Sequence, residues 1–109
     1  MEIHKYRIKL TPKAKDDLDD IYDYISKELV NKLAAGNLMD KIETSVMRLG
    51  DFPFSCSLVE DNIIKEKGYR KLIIKNYIVF FIVIETEKQV VIMRVLYGKQ
   101  NYQNIIDLE

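Results

Sequence analysis

Five cations, Arg70, Lys71, Lys75, Arg94 and Lys99, are set into otherwise apolar sequence between Tyr69 and Tyr102, with Tyr97 and Tyr102 near its end. Cations grouped on one face of a sheet hold phosphate oxygens or carboxylates, so they point to a nucleic-acid backbone or an acidic peptide. The lysines would serve equally to keep an exposed sheet face in water. Arg94 differs, because it interrupts a Val/Ile/Met run that could otherwise be wholly buried. A charge there calls for a specific partner: a helix carboxylate of the same chain, such as Asp19, or an external anion. If Val91, Met93 and Val95 face the helices, alternation points Arg94 away from them. Lys71 and Lys75 then share a face with Ile73, and Arg70 goes with Leu72 and Ile74.

Other chemistries find little support. His4 is the sole histidine and lies at the start of the sequence, which argues against a His-based triad or a multi-histidine metal site. Cys56 is the single cysteine, so no intrachain disulfide can form, and no histidine is at hand to lower its pKa. The run Asp16, Asp17, Asp19, Asp20 and Asp23 would spread around a helix, because adjacent residues point about 100° apart. It reads as a solvated face rather than a metal cluster. The glycines are scattered singly, with no phosphate-binding loop. No metal or cofactor is expected.

The elements that must position the cations follow from period and punctuation. The chain has 109 residues, 48% hydrophobic and 31% charged, enough for one domain (1–109) with a single core. Lysine plus arginine equals aspartate plus glutamate at 17 each, so net charge alone implies no nucleic-acid partner. The distribution is dipolar, acidic from Thr11 to Asn31 and basic from Lys65 to Lys99. No apolar run reaches the roughly 18 residues of a membrane span. No signal peptide is evident, and a reduced, cytoplasmic setting is expected.

Strict alternation from His4 to Leu10 predicts a half-exposed strand. Thr11-Pro12 supplies an N-cap and a first-turn proline for an amphipathic helix whose apolar stripe includes Ala14, Leu18, Ile21, Ile25 and Leu29. Asn31 is expected to break that helix and cap a second one, through Ala35, Leu38, Ile42 and Leu49, which Gly50 and Pro53 end. The connection from Asp51 to Lys67 has room for a short extended piece at Ser57–Glu60. Three strands follow, Tyr69–Lys75, Tyr77–Glu85 and Val90–Tyr97, and then a short terminal helix over Tyr102–Leu108. The middle strand is apolar on both faces and belongs at the centre of the sheet. The fold expected is α+β: a strand, an antiparallel helical hairpin and an antiparallel meander, in two layers.

In its TPKAKDDLDDIYDYI helix, its RLGDFP helix end and the closing GYRKL, NYIVFF and RVLYGKQNY, the chain resembles the RelE/ParE superfamily of toxins from type II toxin–antitoxin modules. The resemblance spans nearly the whole chain, and the last block is its most specific part. It implies a small cytoplasmic toxin that a cognate antitoxin neutralises by folding a C-terminal segment on its surface, in a hetero-oligomeric complex. RelE-like members cleave mRNA in the ribosome. For them the resemblance would assign catalysis to Arg70, Arg94, Lys99, Tyr97 and Tyr102. Such nucleases often carry arginines where this chain has Ile78 and Gln100. ParE-like members bind DNA gyrase without chemistry of their own, and the long hairpin and RVLYGKQNY ending resemble that branch more closely.

Three readings result. The first is a toxin that binds gyrase through Arg70, Lys71, Lys75, Arg94 and Lys99. The second is a ribosome-dependent mRNA endonuclease using the same cations to hold RNA. The third is an inactive homologue that binds its antitoxin and regulates the operon.

Overall fold

The computed structural model describes residues 5–56, 58–59 and 67–98. Strand β1 (Arg7–Leu10) leads into helix α1 (Pro12–Asp23), which continues as a π-helical turn at Tyr24–Glu28. Helix α2 (Lys32–Met47) closes the hairpin and ends in a 3₁₀ turn at Arg48–Gly50. Strands β2 (Arg70–Ile74), β3 (Tyr77–Ile84) and β4 (Gln89–Tyr97) form the meander.

The caps are those the sequence implies. The Thr11 hydroxyl oxygen accepts from the Ala14 N–H at 3.1 Å and donates to the Met93 carbonyl at 2.9 Å, so one side chain starts α1 and ties it to β4. Asn31 Oδ1 accepts from the Ala34 N–H at 3.0 Å and starts α2.

The sheet order is β1-β4-β3-β2. β2–β3 and β3–β4 are antiparallel, as the meander requires. β1 lies parallel to β4, with Ile8 opposite Val90 and Leu10 opposite Ile92, so the sheet is mixed. Parallel pairing needs a long connection, and here the helical hairpin, β2 and β3 all lie between β1 and β4.

Both faces of the sheet are apolar. On the helix side Ala14, Leu38, Ile42, Val46 and Leu49 pack with Ile74, Val79, Phe81, Val90, Ile92 and Val95. On the far side Val59, Tyr69, Phe80 and Leu96 are buried, with Ile78, Ile82 and Met93 against them. β3 is therefore central and doubly covered, as its composition implies. The far face is a second core at Phe80 and Leu96 rather than the open cationic surface the spacing of the lysines suggested.

One irregularity decides the placement of Arg94. Phe80 pairs with Arg94 and Phe81 with Ile92, which leaves Met93 as an extra residue in β4. Such a bulge shifts the side-chain phase of the strand beyond it. Val90 and Ile92 face the helices before it, and Val95 does so after it. Met93 and Leu96 face the other way.

Candidate functional site

Arg94 is held inside the fold. Its Nε donates to Asp17 Oδ2 at 2.8 Å and its NH2 nitrogen to Asp17 Oδ1 at 2.9 Å, a bidentate pair. Asp17 Oδ2 also accepts from the Val95 N–H at 2.9 Å. The carboxylate thus caps the edge of β4 just beyond the last rung with β1, where Leu10 meets Ile92. Both side chains are largely buried, 15% exposed for Arg94 and 11% for Asp17.

An intramolecular carboxylate for Arg94 was one of the two alternatives, but the residue is Asp17 rather than Asp19. Nor is the aspartate run uniformly solvated, since Asp17 turns inward. Its position is legible in hindsight: it lies three residues after buried Ala14 and four before Ile21, on the flank of the apolar stripe. Asp16, Asp19, Asp20 and Asp23 are exposed.

Arg70 is also engaged within the chain. Its NH1 nitrogen donates to the Cys56 carbonyl at 2.6 Å, and its guanidinium lies 5.0 Å from the Phe54 ring centroid. With the Leu58–Arg70 bridge and the Val59 N–H donating to the Tyr69 carbonyl at 3.0 Å, it fastens the segment after α2 to β2. The short extended piece anticipated at Ser57–Glu60 is represented by Leu58 and Val59; Ser57 and Glu60 lie outside the described residues.

Lys71 pairs with Phe80 across β2–β3 and so shares the far face with Ile73, as alternation required. Lys75 occupies the two-residue turn between β2 and β3 in a left-handed conformation (φ 54°). Neither has an ion-pair partner among the described residues. Lys99 and Tyr102 lie outside the described residues, as do His4, Gln100 and the anticipated terminal helix.

Tyr97 stands at the end of β4, its ring 5.8 Å from that of Tyr77 at an interplanar angle of 65°. Burial raises the Tyr77 phenol above its usual 10.0, with smaller upward contributions from Tyr97 and Tyr24. Tyr24 and Tyr77 wall two adjoining clefts at the turn end of the sheet, and Tyr97 lines the larger of them. The larger, about 740 Å³, runs from Asp17 and Asp20 on α1 to Arg94 and Tyr97. The smaller, about 500 Å³, runs from Tyr24 and Leu29 past Leu38 and Lys41 on α2 to Lys75 and Tyr77. Tyr24, Asp17 and Lys41 were not anticipated as site residues. Nothing in the strand pattern brings α2 to the β2–β3 turn; the hairpin does. No group of three or more metal-ligating side chains occurs among the described residues.

The sequence model of the ParE toxin of type II toxin–antitoxin systems, parDE, matches residues 8–102. The chain belongs to that family. Solved structures agree at the level of fold. A chain of the chromosomal ParDE toxin–antitoxin system from P. aeruginosa superposes on this ParE-family protein with a TM-score of 0.72 at 24% identity, covering 89% of this chain and all of that one. A chain of the toxin–antitoxin complex RelBE2 from Mycobacterium tuberculosis superposes with a TM-score of 0.58 at 16% identity, covering 88% and 94%. No curated protein matches the sequence significantly. Among the described residues, no helix of this ParE-family chain is long and apolar enough to cross a membrane.

Proposed function

We propose that this ParE-family protein is a toxin that stops growth by binding DNA gyrase in the cytoplasm, without bond chemistry of its own, and that a cognate antitoxin neutralises it. The observation that carries this reading is the internal engagement of both arginines of the meander, Arg70 and Arg94. Arg94 is clamped by Asp17, and Arg70 by the Cys56 carbonyl and the Phe54 ring. A nuclease needs cations aimed at the phosphate whose charge develops in the transition state, and a base near the 2′-hydroxyl. Binding asks less of the site. An exposed surface with apolar anchors and lysines suffices, and the turn end of the sheet has both, in Tyr24 and Leu29 and in Lys41 and Lys75.

The test compares two activities of the purified protein. Inhibition of gyrase supercoiling with translating mRNA left intact supports the reading. Ribosome-dependent mRNA cleavage, lost on Lys71→Ala or Lys75→Ala with folding intact, would replace it with the endonuclease reading. Harmless expression without antitoxin, with neither activity, would point to the inactive regulator.

A further inference from the structure

The larger of the two clefts at the turn end, about 740 Å³, falls within the range of small-molecule sites. Tyr24, Tyr77 and Tyr97 all line it. They come from different elements: Tyr24 opens the π-helical turn, while Tyr77 and Tyr97 are paired across β3 and β4. The Tyr77 and Tyr97 ring centroids lie 5.8 Å apart at 65°, so one ring of the pair keeps its faces clear of the other. Tyr24 and Tyr97 are 55% and 39% exposed, which leaves ring surface open to a ligand. The face of an aromatic ring carries partial negative charge and attracts a cation.

Formal charge in the same cleft has the same sign. Its lining holds two carboxylates, Asp17 and Asp20, against one cation, Arg94. Asp17 and Arg94 neutralise each other. The Asp20 side chain has no hydrogen-bond or ion-pair partner among the described residues. Its helix neighbours three and four positions away are Asp16, Asp17, Asp23 and Tyr24, so α1 offers it no cation. Lys75 lines the adjoining cleft and not this one. One free carboxylate is too few for a metal ion, and no group of three or more metal-ligating side chains occurs among the described residues. A single negative charge beside aromatic faces suits instead a large, weakly hydrated organic cation.

We infer that the cleft between α1, the π-turn, the start of β3 and the end of β4 binds a small organic ammonium ion, of the alkylated kind whose charge is spread over methyl or methylene groups. The cationic head sits against the tyrosine rings with Asp20 as counter-ion, and the alkyl part rests on Ile21, Leu29 and Val95. Such a ligand touches both layers of the fold, the hairpin through Asp20 and Tyr24 and the sheet through Tyr77 and Tyr97. Its binding therefore ties the hairpin to the end of the sheet. The site needs neither gyrase nor an antitoxin, and it stands or falls apart from the growth-arrest reading.

The probe is choline, titrated into the intact protein at constant ionic strength and followed by amide and aromatic chemical shifts. Saturable shifts at Asp20, Tyr24, Tyr77 and Tyr97 are expected, with a melting temperature that rises with choline concentration. Dimethylbutanol, the uncharged carbon isostere of choline, should leave these signals unmoved. Asp20→Asn and Tyr24→Leu change exposed side chains and should keep the melting temperature of the free protein, yet each should lose about five-fold or more in affinity. Tyr24→Phe keeps the ring and should bind as wild type does. Equal binding of dimethylbutanol and choline overturns the inference, because the cleft is then merely apolar. Wild-type affinity in either Asp20→Asn or Tyr24→Leu overturns it too, as does a loss in Tyr24→Phe as large as in Tyr24→Leu. So does the absence of any saturable shift. A trimethyl-lysine peptide that binds where choline does not would assign the cage to a partner's side chain and overturn the small-ion site.

Discussion

Asp17→Ala should be among the most damaging substitutions of a polar residue in this protein, and its cost can be worked from the geometry. The change leaves the Arg94 guanidinium without its two carboxylate bonds and the Val95 N–H without its acceptor. Removing one partner of a buried ion pair costs about 3–5 kcal/mol, because the other charge stays behind unpaired. Arg94 and Asp17 keep 15% and 11% of their side-chain surface in contact with solvent, so the lower end applies, about 3 kcal/mol. In a domain of this size that lowers the melting temperature by roughly 12 °C. The control is Asp19→Ala, an exposed aspartate two residues on, where a change within about 0.5 kcal/mol is expected. Urea unfolding followed by circular dichroism measures both. Asp17→Leu combined with Arg94→Met should recover most of the loss, since a matched apolar pair leaves no charge behind. If Asp17→Ala costs no more than Asp19→Ala, or if the Asp17 and Arg94 losses simply add, the two residues do not form the clasp described above.

Thr11→Ala removes both the cap of α1 and the bond to the Met93 carbonyl, and should cost about 1–2 kcal/mol in the same unfolding assay. Phe80→Ala should cost about 3–5 kcal/mol, as much as Phe81→Ala, because both faces of β3 are buried; an open far face would make the Phe80 change mild. Tyr77 keeps its proton to higher pH in the folded than in the unfolded chain, so its contribution is full below about pH 10 and fades as pH rises through the raised folded value. Tyr77→Phe should therefore flatten the alkaline loss of stability, measured as unfolding free energy from pH 9 upward. Gly98→Ala brings a Cβ to 3.2 Å from the Asn76 carbonyl, which accepts from the Gly98 N–H at 2.8 Å, and should loosen the β2–β3 turn, lowering the melting temperature by a few degrees.

Local rules carry most of the fold. Thr11 and Asn31 cap the helices they seemed to cap because a side-chain oxygen three residues before a free N–H needs no tertiary help. β3 is central because an all-apolar strand has no side to give to water. The pairing of β1 was not legible in the same way. Alternation says that a strand has one wet face, but its neighbour depends on where the meander ends: the chain enters the sheet again at the far edge with β2 and runs back until β4 lies alongside β1. The candidate site was legible as a composition and not as an arrangement. The cations were found, yet Arg94 and Arg70 turned out to hold the fold together, and Lys41, on a helix, entered the cleft through tertiary packing that no strand pattern records.

The bulge at Met93 explains why an arginine can stand in this strand at all. Strict alternation from Val90 and Ile92 would aim residue 94 into the helix-side core, among Val79 and Phe81. An unpaired guanidinium there would cost several kcal/mol. The extra residue lets Val95 take the inward direction instead, and Arg94 reaches α1 at the edge of the sheet, where Asp17 waits. Asp17 is itself available because β1 has stopped at Leu10 and Thr11 has bound α1 to the Met93 carbonyl. Bulge, cap and ion pair therefore meet at one place, where β4 passes the end of β1 and the start of α1. The consequence for function is a redistribution of charge. Arg70 and Arg94 are engaged within the chain, much of both sheet faces is apolar and buried, and Lys41 and Lys75 lie at the turn end beside exposed Tyr24 and Leu29. A partner that reads this protein by charge and apolar contact together finds that combination at the end of the sheet rather than across its face.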